Sequence, residues 1–195
     1  MNLPNKLTVL RMVLIPFVMF FYLATFIPYG IGKIVALVIF IIAALTDLLD
    51  GKIARKHNLV TNLGKFLDPI ADKILTASVL FMIMADGTIP APYGVIVVSI
   101  IIAREFAVSA LRLIAASQGT VLAADIWGKA KTMVQMIAIP ICMLIPFLQA
   151  IAVPAWLVLT VQVIGWTSIG VATILTIISG ANYLIKNKHC FKDSK

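Results

Sequence analysis

Charge is scarce in this chain. Only 12% of its 195 residues are Asp, Glu, Lys or Arg, while 62% are hydrophobic and the mean hydropathy is +1.07. An ordinary soluble domain carries about 25% charge and roughly 45–50% apolar residues, so a soluble fold and a disordered chain are both excluded. Cysteine is nearly absent. Cys142 and Cys190 form no CxxC pair and read as lone thiols. Histidine is as rare, and neither His57 nor His189 lies three or four residues from Asp47, Asp50, Asp68 or Asp72, so both read as solvated residues. No 20–50-residue repeat, low-complexity tract or linker divides the sequence, which predicts one membrane domain over 1–195.

What is abundant is long apolar stretches. About 20 such residues cross a bilayer, and the runs predict six spans, near Leu7–Ile27, Ile34–Leu49, Phe66–Met84, Pro92–Ala116, Ala130–Leu148 and Pro154–Ile185. The fold class is therefore all-α integral membrane. The first run lacks the small-x-small pattern that closes a secretory signal. Instead, Leu3, Leu7 and Leu10 with Lys6 and Arg11 suggest a short interfacial helix before the chain enters the membrane.

Sixteen Lys and Arg against eight Asp and Glu give a formal charge of +8, and the basic residues alternate from one connection to the next. They crowd the start, the turn after the second span, the turn after the fourth and the tail, while only Lys33 falls on the other side. The positive-inside rule then places both termini in the cytoplasm, with short outer loops around Pro28–Lys33, Ala85–Pro90 and Gln149–Val153. Nucleic acid is excluded as a partner, because no aromatic residues interleave with the basic ones and no binding motif is present.

Four of the eight acids, Asp47, Asp50, Asp68 and Asp72, gather at the cytoplasmic ends of the second and third spans. A carboxylate at membrane depth is costly unless it is paired or binds a cation. Asp47 and Asp50 are three apart and Asp68 and Asp72 four apart, so on helices each pair projects from one face. Four acids together repel unless a divalent cation, or two, neutralises them. Ligation by oxygen alone selects Mg²⁺ or Mn²⁺, and allows Ca²⁺, over zinc. Mg²⁺ commonly completes its shell with substrate phosphate, which points to a phosphorylated substrate. Gly51, Ala54 and Gly64 lie beside the acids and would let such a substrate approach the backbone, although small residues also serve helix packing. Arg55 can clamp a phosphate. Asp68-Pro69 reads as a helix start, unless the helix begins near Thr61 or Asn62 and Pro69 is accommodated inside it.

These residues spell Asp47-x-x-Asp50-Gly51-x-x-Ala54-Arg55, eight residues, Gly64-x-x-x-Asp68-x-x-x-Asp72. The pattern resembles the complete signature of the CDP-alcohol phosphatidyltransferases. That resemblance implies six transmembrane helices, a homodimer, and transfer of a phosphatidyl group from a CDP-linked lipid to an alcohol with release of CMP. It also implies two divalent cations, one held by Asp47, Asp50 and Asp68 and the other by Asp47, Asp68 and Asp72. Asp72 would further serve as general base, while Asp50, Gly51, Ala54, Arg55 and Gly64 match nucleotide-binding positions.

The acceptor has to be read from the remaining charges. Arg104 and Glu105 lie about 12 Å deeper in the fourth span than Arg112, and Arg104 and Arg112 are eight apart in one quadrant of the helix. Lys129 and Lys131 open the fifth span. A basic cluster beside a metal–phosphate site suggests an acceptor that itself bears phosphate, bound by Arg104, Arg112, Lys129 and Lys131. Inward positive charge plus an Arg104–Glu105 interaction is the competing account. Three stretches, Asn2–Arg11, Ala103-Arg104-Glu105 with Ser109 and Arg112, and Trp127–Thr132, resemble the phosphatidylglycerophosphate synthases of that family. The expected reaction is thus CDP-diacylglycerol plus sn-glycerol 3-phosphate giving phosphatidylglycerophosphate and CMP. A sibling enzyme acting on inositol phosphate, phosphatidylglycerol or serine is the near alternative. A divalent-cation carrier is the distant one, since it would need acids at the midplane and the outer half offers only Asp86.

Overall fold

A computed structural model describes residues 3–56, 62–117, 126–151 and 153–186, with side chains described at 5–46, 70–115, 126–151 and 153–186. Six helices follow one another: α1 (Leu3–Leu23), α2 (Tyr29–Lys56), α3 (Asn62–Ala85), α4 (Tyr93–Ser117), α5 (Ile126–Ala150) and α6 (Ala155–Lys186). Among the described residues, α1, α2, α4, α5 and α6 are each long and apolar enough to cross a membrane. α3 keeps its charged residues in its first half and runs apolar from Ile74 to Ala85. Phe17, Phe20, Leu113, Trp156, Leu159 and Val163 are among many large apolar side chains left exposed, as a lipid-facing surface requires. The chain is an all-α integral membrane protein.

Residues 3–23 form a single helix rather than a separate interfacial helix followed by a span. The reason is packing: Asn5, Thr8 and Arg11 are buried rather than laid on a surface. α2 likewise outruns its expected limits at both ends, because a charged residue ends an apolar run without ending the backbone hydrogen-bond ladder. Its 28 residues extend about 42 Å against a hydrocarbon core of about 30 Å. Lys33, expected in an outer loop, is therefore inside α2 and buried. α3 starts at Asn62, so Pro69 is accommodated within it.

α5 packs along α6 and α1 along α2, while α2 also meets α5, α1 meets α3 and α4 meets α6. Glycines set the closest approaches. A Cβ on Gly32 would lie 2.6 Å from the Phe21 carbonyl oxygen, and one on Gly165 would lie 3.0 Å from Cys142 Sγ. One apolar core, including Val18, Phe40, Val79, Ile83, Ile101 and Ile139, joins the helices.

The end of the bundle with the α1–α2 and α3–α4 turns is closed by polar contacts. Lys33 Nζ donates to Asp86 Oδ2 at 2.5 Å and lies 3.6 Å from the centroid of the Tyr22 ring. Asp86 also accepts from the hydroxyl and the N–H of Thr88, whose carbonyl accepts from Trp166 Nε1 at 2.9 Å. Tyr93 then donates its hydroxyl to the Trp166 carbonyl at 2.8 Å. Four helices and a turn are thereby tied at the end opposite the aspartate motif.

Candidate active site

The motif lies at the other end of the bundle. Asp47, Asp50, Gly51, Ala54 and Arg55 fall on the last three turns of α2, and Gly64, Asp68 and Asp72 on the first three of α3. Both segments are helical, which is the condition the three- and four-residue spacings require. The side chains of Asp47, Asp50, Gly51, Ala54, Arg55, Gly64 and Asp68 lie outside the described residues. Asp72 lies within them and is half-buried, and its carbonyl accepts from the Thr76 hydroxyl at 2.9 Å. Among the described residues no three His, Cys, Asp or Glu side chains stand together as a metal centre. The donor chemistry nonetheless suits hard divalent cations, since four carboxylates stand on two helix ends with neither His nor Cys among them.

Asp72 shares a cavity of about 20 Å³ with Thr76, Glu105, Lys131, Thr132, Gln135 and Met136. That is room for about one water molecule. Three helices build it: α3 brings the acid, α4 brings Glu105 and α5 brings Lys131 and Gln135 one turn apart. Lys131 is buried at 2% exposure, and its ammonium donates to Glu105 Oε1. The same carboxylate oxygen lies 3.6 Å from Arg104 Nη1, so the acid anticipated as a partner of Arg104 is engaged more closely by Lys131.

Arg104 turns toward α6. It donates through Nη2 to Ser179 Oγ, and its side chain crosses Gly180, where an added Cβ would stand 3.0 Å from Arg104 Cγ. Gly128 completes the slot, with a would-be Cβ 3.7 Å from Nη2. Arg112, two turns along α4, is exposed and lies 5.4 Å from the Tyr183 ring centroid, donating through Nε to its hydroxyl at 3.1 Å. Lys129 is exposed at the start of α5. Of the four basic residues singled out in the sequence, Lys131 is brought to the cavity of Asp72. Arg104 joins it through Glu105, whereas Arg112 and Lys129 stand toward the surface.

Gln135 escaped the sequence reading. It is 3% exposed, and among the described residues its Oε1 accepts no hydrogen bond. A polar residue four after Lys131 in an apolar run was the available signal, since that spacing stacks both on one face.

The CDP-alcohol phosphatidyltransferase family model matches residues 1–180. The chain belongs to this family. It is similar to the CDP-diacylglycerol–glycerol-3-phosphate 3-phosphatidyltransferase of Bacillus subtilis, with 40% identity over 205 residues covering 99% of this chain and 98% of the relative. The protein of the same name in Rickettsia bellii is 35% identical over 190 residues, 97% of each chain. A probable phosphatidylglycerophosphate synthase of Mycobacterium tuberculosis is 38% identical over 190 residues, 95% of this chain and 81% of that one. Membership of the CDP-alcohol phosphatidyltransferases makes the chain an enzyme of phosphatidyl transfer.

Proposed function

We propose that the chain transfers the phosphatidyl group of CDP-diacylglycerol to sn-glycerol 3-phosphate, releasing CMP, at the cytoplasmic face of the cell membrane. The observation that carries this reading is the shared cavity, in which an acid of the motif, Asp72, meets a buried cation, Lys131, and an acceptor oxygen of Gln135. With room for about one water, the cavity takes one group of the acceptor at a time, and its lining suits the groups of a phosphate-bearing alcohol, Lys131 a phosphate oxygen and Gln135 or Asp72 a hydroxyl, so seating the whole acceptor requires α3, α4 and α5 to part. The names of the relatives support the same acceptor.

Asp47, Asp50, Asp68 and Asp72 would hold two divalent cations, Mg²⁺ or Mn²⁺. When bound, these would offset the charge of the diphosphate and of the leaving CMP. The protein's own part is positional. Asp72 receives the proton of the acceptor hydroxyl as its oxygen bonds to the phosphatidyl phosphorus and the bond to CMP breaks. Asp50, Gly51, Ala54, Arg55 and Gly64 line the approach of the nucleotide, and Arg104, Arg112, Lys129 and Lys131 receive the acceptor phosphate, with Arg112 and Lys129 at the entrance and Lys131 at the end. The basic residues clustered at the motif end favour a cytoplasmic orientation of both termini. Family resemblance extends the proposal to a homodimer, which cross-linking in native membranes would check.

The test is direct. Purified protein is given CDP-diacylglycerol with glycerol 3-phosphate, inositol phosphate, phosphatidylglycerol or serine in parallel, and the lipid product is identified by mass. Phosphatidylglycerophosphate with equimolar CMP is expected from the first alone. Turnover of another acceptor in its place would overturn the assignment.

A further inference from the structure

α1 carries a buried seam that changes character half-way along. Asn5, Thr8, Arg11, Ile15, Val18 and Tyr22 are its buried residues, spaced by threes and fours so that they share one side of the helix. Ile15, Val18 and Tyr22 are apolar packing residues. Asn5, Thr8 and Arg11 are polar, and Thr8 and Arg11 are 0% exposed. A guanidinium sealed in the interior of a membrane protein requires opposite charge nearby.

The register of the helices shows which charge is level with it. α1 packs against α2 and α3. Lys33 touches both Tyr22 and Asp86, and Gly32 meets Phe21, which fixes one level of all three elements. α2 runs antiparallel to α1 from that level and α3 runs parallel to it, each rising about 1.5 Å per residue. Fourteen residues below Tyr22 is Thr8; fourteen along α2 from Lys33 is Asp47, and fourteen back from Asp86 is Asp72. Three more bring Asn5 level with Asp50 and within one residue of Asp68. Helical side chains lean toward the N-terminus, so the head of Arg11 extends toward the level of Thr8. The seam is apolar beside apolar neighbours and polar where α2 and α3 carry the four aspartates. Asp86 and Glu105 are already paired with Lys33 and Lys131, and Asp125 and Asp193 lie outside the described residues.

We propose that Arg11, flanked by Thr8 and Asn5, is a positioning residue of the aspartate centre: a fixed positive charge, level with the acids, that offsets carboxylate repulsion. This inference rests on the reading of those acids as a divalent-cation site. Removing the charge should strengthen cation binding, because a like charge beside the site is lost, and should destabilise the cation-free protein, because the acids then repel unopposed.

The experiment is Mn²⁺ titration of the full chain in detergent without nucleotide, followed by electron paramagnetic resonance, with thermal unfolding measured across the same Mn²⁺ series. Arg11→Gln is expected to bind Mn²⁺ at least about tenfold more tightly. Its deficit in unfolding temperature should shrink as Mn²⁺ rises, and Arg11→Lys should stay close to the parent in both measurements. An unchanged affinity with the same thermal deficit at every Mn²⁺ concentration would assign Arg11 to packing and overturn the proposal. If Arg11→Gln does not fold, the paired variant Arg11→Gln with Asp47→Asn decides: recovery of folded protein supports the counter-charge, continued failure rejects it. A parent chain that binds no Mn²⁺ would instead overturn the cation-site reading.

Discussion

At the scale of single residues, the chemistry turns on which charged groups are held and by what. Asp72→Asn keeps the shape of the side chain but removes its capacity to accept a proton, so CMP release should fall at least about 100-fold. The melting temperature should change little, and near-normal turnover would remove Asp72 from the reaction. Lys131→Met removes a charged hydrogen-bond donor and should raise KM for glycerol 3-phosphate by about ten- to a hundredfold. It also leaves Glu105 without its closest cation, at a cost of about 3–5 kcal/mol for a fully buried pair and less here because Glu105 is partly exposed. Adding Glu105→Gln should restore thermal stability without restoring KM, which separates the two roles of the lysine. The identity of these residues was legible in the sequence because charge inside an apolar run stands out. Their pairing was not, since Glu105 is adjacent in sequence to Arg104 yet is held by a lysine 26 positions away on the next helix.

At the scale of helices, the sequence conveyed number and order well and ends less well. Apolar runs mark the part of a helix that lipid surrounds, whereas hydrogen bonding continues α2 to Lys56 and begins α3 at Asn62, so the motif stands on helix rather than in a connecting loop. Pro140 and Pro146 leave α5 unbroken, as expected where neighbouring helices pack around the freed carbonyls. Small residues in a membrane helix can serve contacts within a chain or between chains. The structure places Gly165 against Cys142, Gly170 against the Tyr93 hydroxyl and Gly180 against Arg104, all within one chain. Gly180→Val should therefore displace Arg104 and cost about 1–3 kcal/mol through overpacking. If Arg104 also serves the acceptor, KM for glycerol 3-phosphate should rise while that for CDP-diacylglycerol stays constant. A drop in melting temperature alone would confine Arg104 to the α4–α6 contact.

At the scale of the molecule, the two ends of the bundle carry different duties. Lys33 and Asp86, isolated charges at sequence level, meet at the end remote from the motif and are buried together. Lys33→Met alone strands a carboxylate and should lower stability by about 3–5 kcal/mol, whereas the double change Lys33→Met with Asp86→Leu should recover most of that loss. Neither should alter the KM of either substrate in the protein that remains folded. Thermal unfolding beside steady-state kinetics would show it, and a shift in KM would mean that the two ends communicate. The α1 seam has a bearing on biogenesis. Because α1 leaves the ribosome long before α3 exists, Arg11 must wait among lipid headgroups and water for its permanent neighbours. Final seating of the first helix thus follows the threading of the third into the bilayer.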